Sequence, residues 1–275
     1  MRLICAATIA GLAALAPAAR ADNDWAVIST TGDPDPVTSF DLANPGASNA
    51  TIGFVDGNFN RGMDFASFNS FYYYVSTDSL NDPGDRGLWL WNNGANTQLA
   101  TIGFNDSGDG DATLGNDGST FYVSTADGDA TAGDSIYAFT NLGGSVSFVE
   151  IGETGLNQLI GLAMHPVTGV LYGYDSSTEA LYTISTTTGA PTLVGASGSS
   201  LGAIGGMDFS ADGGTLLLSD GSELFLVDSA TGVLTAAGDV GLNTSALSYR
   251  GQIPEPSALA LASAGALALL RRRRA

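Results

Sequence analysis

Cysteine is almost absent from this 275-residue chain. The one cysteine, Cys5, lies in an apolar stretch at the N-terminus, so the rest of the chain can form no disulfide and no zinc site built on thiolates. Stability must therefore come from burial of apolar side chains. Roughly 230 residues lie between the two apolar terminal segments, which is enough for one sizeable all-β domain.

Basic residues are almost confined to the two ends. Between Asp22 and Ile253 the chain carries 27 acidic residues against three arginines, Arg61, Arg86 and Arg250, and no lysine, a net charge of about −24. Nucleic acid is excluded as a partner, because phosphate binding needs clustered lysine and arginine. Such acidity is typical of an extracellular surface that self-repulsion keeps soluble.

Histidine is nearly absent too, since His165 is the only one. It precedes Pro166 in a predicted turn, which favours a structural role over that of a catalytic base. A Ser-His-Asp hydrolase would have to use it, and the sequence has no G-x-S-x-G motif. Metal sites built from several histidines are excluded as well. We therefore expect a protein that is not an enzyme.

A unit of four short strands repeats along the chain. Its clearest copy runs from Gly161 to Gly195, where alternating runs rich in Val, Leu, Ile and Tyr are separated by Gly, Pro, Asp or Ser. Another copy runs from Gly206 to Gly238, and weaker ones begin at Gly62 and Ala112. The glycine turn before the fourth strand recurs every 43 to 49 residues, a spacing typical of propeller repeats. These turns lie at Gly46, Gly94, Gly143, Gly189 and Gly232.

The N-terminal copy lacks its first strand. Trp25–Ser29, Val37–Phe40 and Thr51–Phe54 supply strands two to four, while Ser245–Tyr249 stands alone after the last copy, where a first strand belongs. Pairing the two ends removes open sheet edges. The sequence thus predicts an all-β fold, a five-bladed β-propeller closed by its N- and C-terminal strands, with a β-sandwich or β-solenoid as alternatives. The pattern at Gly161–Tyr172 is similar to propeller-like domains of bacterial surface proteins, a likeness that supports the fold only.

Apolar segments at both ends indicate export. Met1–Ala21 has the charged start, apolar run and Ala-Arg-Ala end of a cleaved signal peptide, which is expected to be helical. Near the other end the apolar run Ser257–Leu270 is helical by composition and is followed by four arginines, which places the domain outside the cytoplasmic membrane. The predicted divisions are a signal peptide at 1–21, a repeat domain at 22–252 and a sorting tail at 253–275.

Pro254, Glu255 and Pro256 precede the apolar run, and together with that run and the four arginines they resemble the PEP-CTERM sorting signal of Gram-negative bacteria. An ordinary tail anchor explains the helix and the arginines but not the preceding Pro-Glu-Pro. In the PEP-CTERM family an exosortase processes the tail, and the family occurs alongside exopolysaccharide genes. The resemblance implies export, transient anchoring in the membrane, exosortase as a partner, a surface or matrix location and exopolysaccharide as a further partner. The residues that carry it are Pro254, Glu255, Pro256, Arg271, Arg272, Arg273 and Arg274.

Carboxylates are the only plentiful reactive groups. Asp64 and Asp208 occupy the same place in two first strands, each within Gly-Met-Asp-Phe, and first strands line the central channel of a propeller. Two channel carboxylates suit acid-base chemistry on a sugar. The favoured alternative is that each accepts a hydrogen bond from a neighbouring blade, since Ala163 stands at the equivalent position of another copy.

Asp-rich loops at 81–86, 105–111 and 127–134 offer the oxygen ligands that calcium prefers. None matches an EF-hand loop. The favoured interpretation is that these loops are solvated acidic loops and that the protein has no cofactor, with weak calcium binding as the alternative. The candidate ligands are Asp109, Asp111, Asp127 and Asp129.

Aromatic residues concentrate in one copy of the repeat, where most are expected to belong to the core and a sugar-binding platform is the alternative. They are Tyr72, Tyr73, Tyr74, Trp89 and Trp91. Together these features predict an exported, surface-sorted, non-enzymatic propeller that is a structural or binding component of the exopolysaccharide or biofilm matrix. The alternative is a carboxylate-dependent glycan hydrolase or lyase at the channel mouth.

Overall fold

Runs of alternating apolar and polar residues form antiparallel strands in the computed structural model of the chain. The structure describes residues 24–30, 34–55, 60–66, 70–76, 87–92, 94–101, 110–125, 133–202 and 205–251. The one helix of these ranges is the single turn α1 (Pro45–Ser48). The strands are β1 (Trp25–Ser29), β2 (Asp35–Phe40), β3 (Ala50–Val55), β4 (Asn60–Ala66), β5 (Phe71–Ser76), β6 (Gly87–Asn92), β7 (Ala95–Thr101), β8 (Ala112–Leu114), β9 (Thr120–Thr125), β10 (Ser135–Thr140), β11 (Ser147–Glu153), β12 (Leu159–Met164), β13 (Leu171–Asp175), β14 (Ala180–Ile184), β15 (Pro191–Ala196), β16 (Gly205–Phe209), β17 (Leu216–Val227) and β18 (Leu234–Tyr249).

Three of the sequence repeats each form a four-stranded antiparallel sheet, in the orders β4-β5-β6-β7, β8-β9-β10-β11 and β12-β13-β14-β15. A six-stranded sheet has the order β16-β17-β18-β1-β2-β3. Strands β4, β8, β12, β16 and the end of β18 contact one another in turn, and apolar clusters fill the space between successive sheets. We call these five segments the inner strands. The chain therefore has the all-β propeller fold that its repeats predict.

The N- and C-terminal strands of the domain pair with each other. Trp25 lies opposite Tyr249 and Val27 opposite Leu247 in an antiparallel ladder between β1 and β18. The ladder continues beyond the strand, because the backbone N–H of Arg250 donates to the carbonyl oxygen of Asp24 at 2.7 Å. The predicted closure is confirmed, and it leaves neither terminal strand as an open edge.

The prediction of five separate blades is wrong, since the described strands form four sheets. Strand β18 is continuous over sixteen residues: its first part pairs with β17 and its last part with β1. Thr244 lies at the junction, opposite Gly221 of β17 and Ser29 of β1. The last repeat and the N-terminal strands therefore share one hydrogen-bonded ladder. The segment expected to stand alone, Ser245–Tyr249, is the end of this long strand.

Two predicted helices, the signal helix at 1–21 and the C-terminal helix within 253–275, lie outside the described residues. In the part of the chain that the structure describes, no helix is both long and apolar enough to cross a membrane. The predicted division of the chain at its two ends accordingly stays a prediction from the sequence.

Neighbouring inner strands approach each other where the repeat motif has its glycine. A Cβ on Gly206 would overlap the backbone nitrogen of Leu247. One on Gly62, whose φ is +66°, would overlap the backbone nitrogen of Ala112. The first residue of Gly-Met-Asp-Phe is therefore a packing residue, because only glycine lets the next inner strand come so close.

Two outer strands each have a glycine where the pairing with the neighbouring strand shifts register, and this glycine lies against the next repeat. The pairing shifts register where β14 meets Gly195 of β15 and where β10 meets Gly152 of β11. A Cβ on Gly195 would overlap the carbonyl oxygen of Thr231, and one on Gly152 that of Thr188. These β-bulges let one sheet receive the turn that precedes the fourth strand of the next repeat.

Candidate binding cleft

A cleft of about 800 Å³ opens at one end of the propeller, where the inner strands end. Strands β4, β8, β12, β16 and β18 each place residues there at or just beyond their C-terminal ends. The cleft thus gathers residues from the whole ring of inner strands. Its lining includes Asp64, Phe65, Leu114, Asn116, Asp117, Met164, Asp208, Phe209, Tyr249 and Arg250.

Asp64 joins three inner strands through its carboxyl group. Its Oδ2 accepts hydrogen bonds from the backbone N–H of Leu114 at 2.6 Å and from the hydroxyl of Thr113 at 3.1 Å, both on β8. Its Oδ1 accepts from the backbone N–H of Phe65 at 2.6 Å and from the hydroxyl of Ser248 on β18 at 3.4 Å. Since each oxygen has a donor, the buried carboxyl group is satisfied within the ring.

Asp208 repeats this arrangement at another interface. Its Oδ1 accepts from the backbone N–H of Phe209 and its Oδ2 from that of Tyr249 on β18, both at 2.7 Å. The interpretation favoured from the sequence, that the aspartate of Gly-Met-Asp-Phe accepts a hydrogen bond from the next repeat, is confirmed at Asp64 and Asp208. Both residues nevertheless line the same cleft.

Thr113 extends the network to a further strand. Its hydroxyl oxygen accepts from the backbone N–H of Met164 on β12 at 3.1 Å, while its proton is donated to Asp64. A hydrogen-bonded path therefore runs from β12 through β8 to β4. No pattern in the sequence singles out Thr113 as a site residue. The only sequence signal is its place directly before Leu114, at the end of β8.

Asp111 crosses the interior between three inner strands. Its Oδ2 accepts hydrogen bonds at 2.8 Å from the backbone N–H groups of Leu162 on β12 and Met207 on β16. The residue is 1% exposed, and its Oδ1 has no hydrogen-bond partner among the described residues. One side chain that precedes β8 thus holds two other strands at a fixed distance.

The three buried carboxyl groups influence one another. Burial raises the pKa of Asp64 from 3.8 to about 6, although four hydrogen bonds favour its charged form. Burial also raises the pKa of Asp208 well above its ordinary value, and the nearby charge of Asp64 raises it further. Burial does the same to the pKa of Asp111, with a smaller contribution from Asp64. These groups therefore keep their protons to a higher pH than exposed carboxyls do.

Aromatic rings form the apolar wall of the cleft. The Phe65 ring packs on Tyr72 with centroids 4.9 Å apart, and the Tyr249 ring meets Trp25 edge-on at 4.9 Å. On the other side the Phe209 ring contacts Tyr172 at 5.4 Å. Phe65 and Phe209 are buried and Tyr249 is half-buried, so Tyr249 is the most open of the three rings.

The polar rim carries a fixed charge on Asp117. Its oxygens accept hydrogen bonds from the backbone and hydroxyl groups of Ser119 and Thr120, at 2.9 to 3.1 Å. Burial acts to raise the pKa of Asp117, but these hydrogen bonds outweigh it and the pKa is lowered. The exposed Asn116 lies beside it, and Arg250, the residue that follows β18, also lines the cleft.

His165 stabilises a turn beside the cleft. Its Nδ1 accepts hydrogen bonds from the backbone N–H groups of Val167 at 3.2 Å and Thr168 at 3.3 Å. Its ring packs on Phe209 with centroids 4.8 Å apart. These are the contacts of a structural residue, as the sequence favours.

The predicted calcium ligands are only partly covered by the structure. Asp109, Asp127 and Asp129 lie outside the described residues. Asp111 is described, and its carboxyl group accepts backbone hydrogen bonds inside the ring. Within the described ranges, no three His, Cys, Asp or Glu side chains are grouped so as to hold a metal ion. Calcium binding stays a prediction from the sequence.

The aromatic residues of β5 and β6 belong to the core. Tyr72, Tyr73, Tyr74 and Trp91 are buried. The half-buried Trp89 packs against the cluster that contains Tyr72, Tyr74 and Trp91, whereas Tyr73 belongs to a neighbouring cluster. This agrees with the expectation that most of them are core residues. The aromatic groups at the cleft come instead from the ends of the inner strands.

Sequence reasoning missed the rim residues Asn116, Tyr249 and Arg250. Only Arg250 left a clear signal, as one of three arginines in a very acidic domain and the first residue after the closing strand. Asn116 and Tyr249 are typical of turns and strands, so nothing in their local pattern indicates a cleft.

Residues 252–274 match the PEP-CTERM protein-sorting motif. The matched residues lie outside the described ranges, and they include the Pro-Glu-Pro and the arginine cluster. The motif indicates a protein that is exported, anchored transiently in the membrane, processed by an exosortase and then located at the cell surface. Comparison of the whole sequence with curated proteins gives no match.

Solved structures resemble the propeller at low sequence identity. A chain of a nidogen/laminin complex has a TM-score of 0.53 and 13% identity, over 82% of this chain and 97% of that one. A gluconolactonase from Xanthomonas campestris has a TM-score of 0.53 and 15% identity, over 82% and 80%. A regucalcin described as calcium-binding, from Agrobacterium tumefaciens, has a TM-score of 0.49 and 16% identity, over 78% and 71%. At such identities the first two similarities concern the fold alone.

Proposed function

We propose that this surface-sorted propeller is a non-enzymatic binding protein of the extracellular matrix, which holds an uncharged sugar unit of an exopolysaccharide in its cleft. The observation that carries the proposal is the meeting of an aromatic wall and a polar rim in one cleft. We further propose that the repeat domain at 22–252 is the part that works at the cell surface once both terminal segments are removed.

The shape and chemistry of the cleft suit a sugar. A sugar ring has apolar faces that stack on aromatic rings and hydroxyl groups that need polar partners. The half-buried Tyr249 supplies a ring for stacking beside the buried Phe65 and Phe209, while Asn116 and Arg250 supply donors at the rim. A volume of about 800 Å³ is large enough for a short stretch of glycan.

Charge favours a neutral glycan over an acidic one. The domain carries about −24, and Asp117 keeps its negative charge at the rim of the cleft. A uronic acid or sulfated polymer is repelled by this field before it reaches the cleft.

The hydrogen bonds of the buried carboxyl groups support a role without catalysis. The oxygens of Asp64 and Asp208 already accept hydrogen bonds that join neighbouring strands. A general acid or base must exchange its proton with the substrate, and these groups are committed to holding the ring together.

The test is calorimetric titration of the processed domain with neutral and uronic-acid oligosaccharides from the matrix of the native host. We expect saturable binding of a neutral oligosaccharide and a marked loss of affinity in Asn116→Ala. The matched control is Asn44→Ala, since Asn44 is exposed, makes no side-chain cap hydrogen bond and does not line the cleft. Equal loss in both variants, or no binding of any neutral glycan, contradicts the proposal. Repeating the titration with calcium and with a chelator checks the Asp-rich loops.

One observation favours a second candidate, a carboxylate-dependent glycan hydrolase or lyase. Asp64 and Asp208 line the same cleft, and the pKa of Asp64 is raised to about 6, within the range of a general acid at neutral pH. Incubation of matrix glycan with the domain, followed by assays for new reducing ends and for the unsaturated ends left by a lyase, separates the two. Turnover that disappears in both Asp64→Asn and Asp208→Asn replaces the binding proposal with the enzyme.

A further inference from the structure

The chain leaves the propeller at the rim of the cleft. Tyr249, Arg250 and Gly251 line the cleft, and the match to the sorting motif begins at residue 252. Because β18 ends among the inner strands, this exit point lies near the centre of the cleft end rather than at the periphery. The tail is therefore attached beside the cleft.

The tether between the domain and its apolar segment is short. Five residues, 252–256, separate Gly251 from the run that starts at Ser257. An extended chain advances at most about 3.6 Å per residue, so the six steps from Gly251 to Ser257 span about 22 Å at most. A globular domain of roughly 230 residues has a radius of gyration of about 17 Å, which corresponds to a radius of roughly 22 Å. The tether is thus no longer than the radius of the domain.

We infer that the cleft end faces the lipid surface while the tail is attached, and that exosortase processing opens the cleft to polymeric ligands. Turning the cleft sideways requires its centre to rise above the membrane by about the radius of the domain, which only a fully extended tether allows, at a cost in conformational entropy. A long polymer loses conformational freedom on entering so narrow a gap, whereas a short oligosaccharide does not.

The orientation is tested by cysteine labelling, which the lack of cysteine between residues 22 and 275 makes selective. Ala211→Cys places a thiol on an exposed residue of the cleft, and Thr178→Cys places one on an exposed turn between β13 and β14. That turn lies at the other end of the propeller, because Asp175 pairs with Leu159 at the start of β12 while Met164 lines the cleft. Membranes from a host without the exosortase supply the anchored form, and the processed protein supplies the released form.

We expect a large PEG-maleimide to label Ala211→Cys several-fold more slowly in the anchored form than in the released form, and Thr178→Cys at equal rates in both. A small maleimide should label both positions equally in both forms, which shows that the variants are folded alike. Insertion of about 30 Gly and Ser residues after Gly251, with a root-mean-square reach of about 30 Å, should restore fast labelling of Ala211→Cys in the anchored form.

Equal labelling of Ala211→Cys by the large reagent in the two forms overturns the inference. The inference is also overturned if the large reagent labels Thr178→Cys in the anchored form as slowly as Ala211→Cys, because the whole domain would then be shielded. The inference rests on the proposed function for the nature of the ligand, but the labelling needs no ligand. If the released protein binds no oligosaccharide while the labelling pattern holds, the proposed function fails and the orientation stands.

Discussion

Acid should stabilise this domain as the pH falls from 7.5 to about 4.5. The reason is Asp64, whose pKa is raised by burial in the folded protein from 3.8 to about 6. A carboxyl group whose pKa is higher in the folded protein than in the unfolded chain stabilises the fold fully at pH values below its unfolded-state pKa. This stabilisation is lost as the pH rises through the folded-state pKa. Asp111 and Asp208 act in the same direction, because burial raises the pKa of each of them too.

The size of the effect follows from the change at Asp64. A rise in pKa from 3.8 to about 6, at about 1.4 kcal/mol per pKa unit, corresponds to about 3 kcal/mol of unfolding free energy. Because pH 4.5 lies above the unfolded-state pKa, about 2 kcal/mol of this is lost between pH 4.5 and pH 7.5. For a domain of this length that is a difference in melting temperature of roughly 4–8 °C. Asp117, Asp212 and Asp228 have lowered pKa values, so their contributions are lost only at more acidic pH.

The measurement is urea unfolding of the domain at half-unit steps from pH 4.5 to pH 8. In Asp64→Asn the unfolding free energy should be lower throughout, because an amide nitrogen cannot accept the N–H groups of Leu114 or Phe65, and its slope between pH 5 and pH 7 should be reduced. Glu223→Gln removes one charge from an exposed strand position and should leave the slope unchanged. A wild-type free energy that is flat or rises with pH between 5 and 7 refutes the reasoning.

Three further outcomes are expected. Gly195→Ala should lower the unfolding free energy by about 1–3 kcal/mol, because its Cβ would overlap the carbonyl oxygen of Thr231; Gly143→Ala, with nothing within 4 Å of its Cβ, should have little effect in the same urea assay. Leu247→Ala in the closing strand should cost about 2–5 kcal/mol since the side chain is fully buried, whereas Leu193→Ala, 61% exposed, should be nearly neutral in thermal unfolding. Intact mass after fractionation of the native host should show loss of the sorting tail and a surface location only when the exosortase is present; a tail retained in both strains contradicts the sorting route.

Ring closure was predictable from the chain, whereas the number of sheets was not. A copy that lacks its first strand and a single strand left at the far end can be matched by counting, which is why Ser245–Tyr249 and Trp25–Ser29 were paired correctly. Counting does not show whether neighbouring strands share a ladder. Thr244 pairs with Ser29 of β1 on one side and with Gly221 of β17 on the other, so two repeats merge into one six-stranded sheet.

The candidate site was predicted only in part, because repeated motifs can be read along the chain whereas contacts between separate repeats cannot. Repetition of Gly-Met-Asp-Phe drew attention to Asp64 and Asp208 and favoured their role at the interface between repeats. Asp111 was assigned to a loop by its acidic neighbours, yet its side chain enters the ring, because the direction of a side chain depends on the strands packed around it. Residues that come together from separate repeats, such as Asn116 and Arg250, share no local pattern.

The sequence by itself determined what depends on local or repeated pattern: the β-strands and their repeat, closure of the ring by its two ends, the acidic surface and the sorting tail. These follow from alternation, counting, composition and a short linear motif, all of which can be read along the chain. Only the tertiary structure decided the merging of two repeats into one sheet, the network of Asp64, Thr113 and Asp111, and the cleft beside the exit of the tail. Those features depend on distances between residues far apart in the chain, and burial then sets the pKa values that no linear pattern contains.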